Sequence, residues 1–379
     1  MQPNPYPYYD GLLQGPALPF DPDSGCYLAS RAAVIAEVLQ HPAARVRPVS
    51  QPVPAALQGH RCGEVFASLL RMTDGAQQQH FKAIMQRQLV GVTPIALRDL
   101  CLSVLGHENG LQLSDPTQFN RLMYQLPVKV VAQLLGMQPA AANQAAVAIA
   151  DFVRCLPAQA NAADISAANV ATTKLLALLQ DTLQDATSWS AALAAEFGAA
   201  AGQIATANLL GLLSQSYEAT AGLLANSLIR CYLQPELVPA NSQQALLFVR
   251  EVSRIDPPVQ NTRRFLAQDA VIAGQQLPAG SAILLLLAAA GRDPYHWKSP
   301  DEFRPYDRLC RSQGQADLSF SLGAHQCPGR QLAEQIAATA LLALWPQLRD
   351  CSKAKPLCWS YRPSVNGRLA WFEMETGAQ

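Results

Sequence analysis

The feature that most constrains this chain is a short loop around Cys327 that leads into a long helical pattern. Pro328 fits the first position of a helix, where no backbone N–H is needed. The positive end of that helix points back towards the sulfur, which lowers the pKa of a thiol and stabilises its thiolate. Gly323 and Gly329 let the backbone turn or approach a flat ligand closely. The loop therefore indicates either a buried structural cysteine or a thiolate that binds a ligand.

The composition excludes several classes of protein. The 379 residues include 28 Lys and Arg against 28 Asp and Glu, and only 15% are charged while 50% are apolar. Such a chain is expected to be globular rather than disordered. It lacks the basic stripe with which a nucleic-acid binder contacts phosphates. We therefore expect a small, mostly apolar ligand and no nucleic-acid partner.

Cysteine spacing and hydropathy indicate the cellular compartment in which the protein is expected to lie. The nine cysteines are scattered without a C-x-x-C pair, and the first 15 residues show no secretory signal. Three uncharged stretches are long enough to span a bilayer, but each is interrupted by polar residues, glycine or proline: residues 130–150, 197–217 and 270–291. We therefore expect a cytoplasmic protein with reduced cysteines and no membrane segment.

Helical patterns dominate the chain. Residues 1–25, rich in proline and tyrosine, predict an irregular arm. Helical patterns recur over residues 32–233, with breaks predicted at Thr93-Pro94 and around Asp115-Pro116. A last long helix is predicted from Pro328 to Leu344, ending at Trp345-Pro346. Short strand patterns lie at residues 270–272 and 281–287 and in a hairpin around Asn366-Gly367. The predicted fold class is mainly α with small β-sheets.

The residues around Cys327 form a complete motif. Phe320, Gly323, His325, Cys327 and Gly329 stand at positions −7, −4, −2, 0 and +2 of one ungapped window. This window resembles the cysteine-ligand loop of the cytochromes P-450. The resemblance implies the P450 fold, as one haem-binding domain over residues 1–379, with haem b held by the Cys327 thiolate. It also implies that Phe320, Gly323 and Gly329 border the haem and that His325 contacts a haem propionate, with a surface histidine as the alternative.

A second landmark precedes this loop. Glu251 and Arg254 share one face of a helix and can pair, and their order before the loop resembles the family's Glu-x-x-Arg helix. The resemblance implies a structural pair that a later arginine joins. This chain has Glu302 where the family has that arginine. Arg304 or Arg308 is therefore expected to supply the third charge, and the spacing leaves both open.

Two further segments resemble haem contacts. Residues 262–265 resemble the segment whose arginine meets a propionate, which implies that role for Arg264. Residues 80–84 resemble the haem-side helix, where a histidine and an arginine four residues later both reach propionates. His80 matches that pattern and Ile84 does not, so one contact is expected to be missing or to come from elsewhere. A merely solvated His80 stays an alternative.

The helix expected to cross the haem departs from the family. Gln215 stands where the family has a small residue that opens a groove, Glu218 is the usual acid, and Ala219 replaces the usual threonine. Gln215 and Ala219 share a face, whereas Thr220 points about 100° away from Ala219 and cannot replace the missing hydroxyl. Gln215 is therefore either an internally bonded amide beside a packing alanine, or part of a proton route. In that route the amide, a water or a substrate hydroxyl delivers protons and Glu218 is the outer relay.

The resemblance implies a haem-thiolate monooxygenase that uses O₂ to oxidise, by hydroxylation in the first instance, a small molecule of secondary metabolism. Electrons are expected from NAD(P)H through a separate ferredoxin and ferredoxin reductase, because the chain carries no flavin or iron–sulfur motif. The altered helix keeps two alternatives open. One is an enzyme with peroxide-driven, oxidative-coupling or desaturation chemistry, and the other is a haem-binding sensor without turnover.

Overall fold

The computed structural model of this chain describes residues 4–108, 112–157, 159–307 and 317–373. Helices dominate these ranges, which confirms the predicted fold class. In chain order the α-helices are α1 (Tyr6–Gln14), α2 (Ala32–Gln40), α3 (Arg61–Ser68), α4 (Ala76–Val90), α5 (Pro94–Gly106), α6 (Pro116–Leu134), α7 (Pro139–Phe152), α8 (Ala162–Gln184), α9 (Trp189–Phe197), α10 (Gly202–Leu233), α11 (Ser242–Ile255), α12 (Leu287–Ala290) and α13 (Arg330–Ala354).

The strands of the same ranges form small sheets. They are β1 (Phe20–Asp21), β2 (Cys26–Ala29), β3 (Ala44–Arg45), β4 (Thr262–Leu266), β5 (Ala270–Ile272), β6 (Gln275–Leu277), β7 (Ala282–Leu285), β8 (Cys358–Arg362) and β9 (Leu369–Glu373). Five form a sheet in the order β1-β2-β7-β4-β3, in which β2 and β7 run parallel and the other neighbours antiparallel. The pairs β5-β6 and β8-β9 are antiparallel, and the second is the predicted C-terminal hairpin.

Side chains cap two helices where the sequence predicts breaks. Thr93 accepts a hydrogen bond from the N–H of Ala96 at the start of α5. Asp115 accepts from the N–H groups of Thr117 and Gln118 at the start of α6. In both helices a proline follows the capping residue and takes a first-turn position. Both helices therefore begin at the predicted Thr-Pro and Asp-Pro boundaries.

The N-terminal segment differs from the prediction. Residues 6–14 form helix α1, so the expectation of an irregular arm over residues 1–25 is wrong for this part. Tyr6 and Tyr9 are buried on one face of α1 and belong to a small apolar cluster with Leu286, Ala288 and Ala289. This packing against α12 stabilises a helix that its own proline- and glycine-containing sequence does not favour.

The last helix also runs further than predicted. Helix α13 continues through Pro346 to Ala354, so the expectation that it stops at Trp345-Pro346 is wrong. A proline inside a helix removes one backbone hydrogen bond. Trp345 and Leu348 are buried on either side of it, and α13 packs against both α10 and α11. Tertiary packing therefore outweighs the local cost of the proline.

Helix α10 lies at the centre of the helical body. It packs against α3, α6, α7, α8, α9, α11, α13 and β9. Most of its 32 residues are buried. A side chain that is exposed in the middle of such a helix faces an enclosed space rather than the outer surface.

One described helix, α8, is long and apolar enough to cross a membrane. Two sharply bent helix pairs, α4 with α5 and α9 with α10, pass the same test if each pair is taken as one span. In α8, 33% of the most apolar window is buried in the protein, and the helix packs against α3, α7, α9 and α10. The three uncharged stretches noted in the sequence are each divided between separate elements.

Candidate functional site

The loop that carries Cys327 is folded over the start of α13. The Cys327 N–H donates to the carbonyl oxygen of Phe320 at 2.8 Å, which closes the loop. Ser321 and Gly323 adopt positive φ angles of 62° and 67°. A Cβ at Gly323 would lie 3.2 Å from the carbonyl oxygen of Leu39, so the loop turns close to α2 where glycine fits best. The loop thereby holds the thiol at the N-terminal end of α13.

The Cys327 thiol is half-buried beside positive groups. Burial raises its pKa, whereas the N–H of Gly329 and the charges of Lys82 and Arg330 lower it. The Arg330 guanidinium lies 5.0 Å from the centre of the Phe320 ring. The groups that oppose burial all stabilise a thiolate, the form of cysteine that binds metals.

An enclosed space separates the cysteine loop from the middle of α10. Gln215 is exposed although its neighbours on α10 are buried and other helices surround α10. Arg71 is also exposed, yet the surrounding protein desolvates it and lowers its pKa. Its guanidinium lies within electrostatic range of both the Cys327 thiol and the Glu218 carboxyl. These side chains therefore border one interior space, with the thiol on one side and α10 on the other.

Two buried cations lie on the cysteine-loop side. Lys82 on α4 donates to the carbonyl oxygen of Ala324 in the cysteine loop. Among the described residues, Arg264 on β4 donates only to Thr262 Oγ1 and the Arg263 carbonyl oxygen. Burial lowers the pKa of Lys82 to about 8 and that of Arg264 to about 10. Neither forms an ion pair with an acidic side chain in the described ranges. Two desolvated positive charges are thus held on this side without an ion pair to any described residue, and the nearest acid to Arg264 is Asp74.

His325 joins the cysteine loop to the segment before α4. Its Nε2 lies 2.9 Å from Asp74 Oδ1, and the other carboxylate oxygen accepts the N–H of Val46 at 3.1 Å. Burial raises the pKa of Asp74, but these hydrogen bonds outweigh it and leave that pKa lowered. Burial is the main cause of a lowered pKa at His325. The ring expected to meet a propionate is therefore already engaged by a carboxylate.

His80 lies on the face of α4 that points away from the cysteine loop. It is exposed, and its ring packs edge-on against Phe81. Gln78 and Lys82, four residues apart, instead both donate to the Ala324 carbonyl oxygen. Residues two apart on a helix point about 200° apart, so a face that carries Gln78 and Lys82 excludes His80.

The structure therefore corrects the expected haem-side pattern. Lys82, rather than His80, lies on the face of α4 that meets the cysteine loop. Ile84 is part of the hydrophobic core. The sequence signal for the face that meets the loop is the pair Gln78 and Lys82, which lie four residues apart and share a helix face.

These residues fit a haem. A haem has a metal that a thiolate can bind and two propionate carboxylates that require positive partners. Cys327 supplies the thiol, and Lys82 and Arg264 supply two desolvated cations that lack acidic partners within the described ranges. A buried charge is costly unless it is paired, so two carboxylates in this space would complete the site.

Glu251 and Arg254 form a buried, two-pronged ion pair on α11. Arg254 Nε lies 2.9 Å from Glu251 Oε2, and its Nη2 lies 2.7 Å from Oε1. The remaining guanidinium N–H groups donate to the carbonyl oxygens of Gly291, Pro300 and Glu302. Arg254 therefore fastens α11 to the segment after α12, and its role is structural.

Arg304 does not bring a third charge to this pair. Its backbone N–H donates to Glu251 Oε1 at 3.1 Å, while its guanidinium forms a half-exposed ion pair with the carboxylate of Glu302 at 2.6 Å. The guanidinium of Arg304 is thus directed to Glu302 rather than to Glu251, so the expectation for its side chain is wrong. Arg308, the other candidate, lies outside the described residues.

The side of α10 that borders the space carries few hydrogen bonds. Gln215 Nε2 donates to the Gly211 carbonyl oxygen at 2.9 Å, and its Oε1 accepts from none of the described residues. Burial raises the pKa of Glu218, against the opposing charges of Arg362 and Arg71.

The last two residues singled out on α10 differ in burial. Ala219 is half-buried, and Thr220 is buried on another side of the helix with 3% of its surface exposed. The structure therefore brings Gln215 and Glu218 to the space that Cys327 borders and leaves Thr220 in the core.

Known proteins show the same combination of fold and motif. Residues 247–344 match the family model described as Cytochrome P450. The putative cytochrome P450 133B2 of Xylella fastidiosa is 26% identical over 96% of this chain and 94% of its own length.

Two solved structures have a similar fold. One is P450BioI in complex with an acyl carrier protein ligated to hexadec-9Z-enoic acid, with a TM-score of 0.79, 20% identity and coverage of 98% of this chain and 99% of that chain. The other is cytochrome P450 CREJ in complex with (4-ethylphenyl) dihydrogen phosphate, with a TM-score of 0.76, 19% identity and coverage of 98% and 96%. The chain thus matches the cytochrome P450 family over residues 247–344 and shares the fold of solved cytochromes P450 along nearly its whole length.

Proposed function

We propose that this P450 binds haem b and hydroxylates a mostly apolar small molecule of secondary metabolism in the cytoplasm. O₂ is the oxidant, and electrons come from NAD(P)H through a separate ferredoxin and ferredoxin reductase. One observation carries the proposal: the Cys327 thiol and the Gln215–Ala219 face of α10 border the same interior space. A cofactor bound to the thiol therefore has room for a substrate on its α10 side.

The cysteine-loop side supplies the cofactor site. When bound to the Cys327 thiolate, haem supplies the activation of O₂ and the transfer of one oxygen atom. Lys82 and Arg264 pair with its propionates. His325 positions the cysteine loop through Asp74.

The α10 side supplies protons. Gln215 Oε1 is available to accept a hydrogen bond from a water or a substrate hydroxyl, because the amide nitrogen is already bonded to Gly211. Burial raises the pKa of Glu218, so this carboxyl holds its proton to a higher pH than an exposed glutamate. Glu218 can therefore pass protons inwards as the outer relay, although Ala219 offers no hydroxyl at the usual position.

The helices that pack against α10 contribute many apolar residues to the core, which favours an apolar substrate. Half of the chain is hydrophobic, and the large core cluster includes residues of α3, α6, α7, α8 and α10. Two proteins of similar fold carry ligands with sizeable apolar parts, a hexadecenoyl chain and an ethylphenyl group. They support a substrate with an apolar body and leave its identity to experiment.

The proposal is tested by turnover in labelled oxygen. Candidate substrates are first selected by their shift of the haem spin state in the purified, haem-loaded protein. They are then incubated with NADH, a surrogate ferredoxin and its reductase under ¹⁸O₂. We expect a hydroxylated product that carries one ¹⁸O atom. A protein that binds ligands but neither consumes NADH nor forms product contradicts the proposal and supports a sensor.

Peroxide-driven chemistry is a second candidate, and Ala219 is the observation that favours it. Without a hydroxyl at this position, the route that delivers protons during O₂ activation depends on Gln215, a water or a substrate hydroxyl, with Glu218 as the outer relay. The same substrates are therefore incubated with hydrogen peroxide in place of NADH and the redox proteins. Faster product formation with peroxide than with the complete electron-transfer system would replace the first proposal by this one.

A further inference from the structure

The segment between α3 and α4 is held rigidly at both ends. Asn208 on α10 accepts the N–H of Leu70 at 2.9 Å and donates to the carbonyl oxygen of Ser68 at 2.9 Å. At the other end Asp74 bonds to His325 of the cysteine loop. Arg71 lies between these two attachments. Its backbone is thus fixed between α10 and the cysteine loop, at the edge of the interior space.

Close packing brings this segment against α10. A Cβ added to Gly211 would lie 2.9 Å from Leu69 Cδ2 and 3.2 Å from Gln215 Nε2. The glycine therefore lets the segment approach α10 one turn before Gln215. Arg71 is two residues beyond Leu69, so its side chain starts beside the α10 face that carries Gln215 and Glu218.

Arg71 lacks a partner for its charge in the described part of the chain. Its guanidinium makes no hydrogen bond, ion pair or ring contact with any of those residues. The surrounding protein desolvates it, and the charges that raise its pKa are the Cys327 thiol and, second, the Glu218 carboxyl. Glu218 lies within electrostatic range of Arg71 but beyond ion-pair distance. An unpaired guanidinium that faces an enclosed space is suited to bind an anionic group of a ligand.

The haem propionates already have candidate partners. Lys82 and Arg264 provide two cations for two carboxylates on the cysteine-loop side. Arg71 is a third cation, and it couples to Glu218 on the α10 side as well as to the thiol. The third positive charge therefore remains for a ligand that lies between the haem and α10.

We propose that Arg71 binds the carboxylate of the substrate, so that the substrate is an apolar molecule with an acidic group. The inference rests on the proposed function and gives it a substrate class, an amphiphilic carboxylic acid. The planar guanidinium offers paired N–H donors that match the two oxygens of a carboxylate. This contact anchors one end of the molecule and leaves its apolar part to extend along the space beside α10.

The test compares acids with their uncharged esters. Octanoic, dodecanoic and hexadecanoic acids and the methyl ester of each are titrated into haem-loaded protein, and binding is measured by the haem spin-state shift and by calorimetry. We expect at least one acid to bind about 10-fold to 100-fold more tightly than its ester. Arg71→Gln should remove this preference and leave ester binding within about two-fold. Arg61→Gln on the outer face of α3 removes the same charge outside the space and should change neither affinity.

Two outcomes would overturn the inference. If no acid binds more tightly than its ester to the unaltered protein, Arg71 does not select a carboxylate. If Arg71→Gln instead lowers the haem content while the preference for acids persists in the loaded fraction, Arg71 binds a haem propionate. These measurements need no turnover. A protein that binds acids more tightly than their esters but forms no product would therefore contradict only the proposed monooxygenase reaction.

Discussion

The two sides of the interior space differ in how their polar groups are hydrogen-bonded. On the cysteine-loop side the polar groups hold one another: Cys327 bonds to Phe320, Lys82 to Ala324 and His325 to Asp74. On the α10 side, Gln215 bonds to Gly211 of its own helix and to no other described residue. Glu218 and Arg71 make no hydrogen bond or ion pair with the described residues.

This contrast separates the needs of the cofactor from those of the substrate. A thiolate ligand must be held in place whichever molecule is oxidised, so its loop is fixed by bonds within the protein. The polar groups along α10 are desolvated and open to a ligand, as expected of groups that complete their bonding when substrate and water enter. Four substitutions test this division, from the largest expected effect to the smallest.

The largest effect is expected at the ligand itself. Cys327→Ser removes the thiolate, so product formation should fall by more than the roughly 10–100-fold typical of changes behind a metal ligand. Turnover per haem is the measurement. Cys358→Ser, at a cysteine on β8 outside the space, is the control and should leave turnover unchanged. Equal activity of both variants would remove the special role of the cysteine loop.

The second substitution concerns the buried pair on α11. Arg254→Met leaves the carboxylate of Glu251 buried with fewer partners, and we expect a loss of about 3–5 kcal/mol in the free energy of unfolding. Arg304→Gln removes a half-exposed ion pair and should cost less than about 1 kcal/mol. Urea unfolding of the haem-loaded proteins measures both. Comparable losses would show that the Arg304 guanidinium does support the pair.

The third substitution is expected to have opposite effects on haem binding and on the stability of the haem-free protein. Lys82→Met removes a partner for a propionate, and we expect haem affinity to fall about 10-fold to 100-fold. The same change should stabilise the haem-free protein, because lowering the Lys82 pKa from 10.5 to about 8 corresponds to a penalty of roughly 3 kcal/mol.

The pH dependence of the stability of the haem-free protein tests the sign of this penalty. The unfolded chain binds the Lys82 proton more tightly than the folded chain, so the haem-free protein should gain stability between about pH 8 and pH 10.5. Lys82→Met should lose that gain. His80→Gln serves as the control on the opposite face of α4. A fall in haem affinity of this variant would show that His80 does contact a propionate.

The smallest effect is expected on the α10 side. Glu218→Gln should lower the yield of product per NADH consumed by less than the roughly 100-fold typical of direct proton transfer, because Glu218 is an outer relay. In the unaltered protein the yield should fall as pH rises through the raised pKa of Glu218, since only the protonated carboxyl donates. The variant should lack this pH dependence. Unchanged yields in both Glu218→Gln and Gln215→Ala would exclude the relay.

The sequence predicts the cysteine loop and the ion pair on α11 correctly, but it does not predict which side chains of α4 contact that loop. The cysteine loop and the pair Glu251 and Arg254 are local patterns whose geometry follows from a turn and a helix. The position of His80 could not be settled in this way, because a shift of two residues moves a side chain to the opposite face of its helix. The contacts of Gln78 and Lys82 with Ala324, far away in sequence, show which face meets the loop.

Other failures have the same cause. Helix α1 is stabilised by packing against Leu286 and Ala289 rather than by its own sequence. Pro346 is tolerated because α13 is packed on both sides of it. Arg71 carried no motif, and its importance is visible only when its desolvation and its lack of a partner are seen together. Long-range packing, which a single sequence does not reveal, decided each of these cases.

The most direct test of the central claim is the absorption spectrum of the purified, haem-loaded protein after reduction and addition of CO. If the Cys327 thiolate holds the haem iron, the Soret band should appear at the long wavelength typical of thiolate ligation, and Cys327→Ser should lose it. A Soret band of the unaltered protein at the shorter wavelength of histidine ligation would contradict the account, because the cysteine loop would then not hold the cofactor.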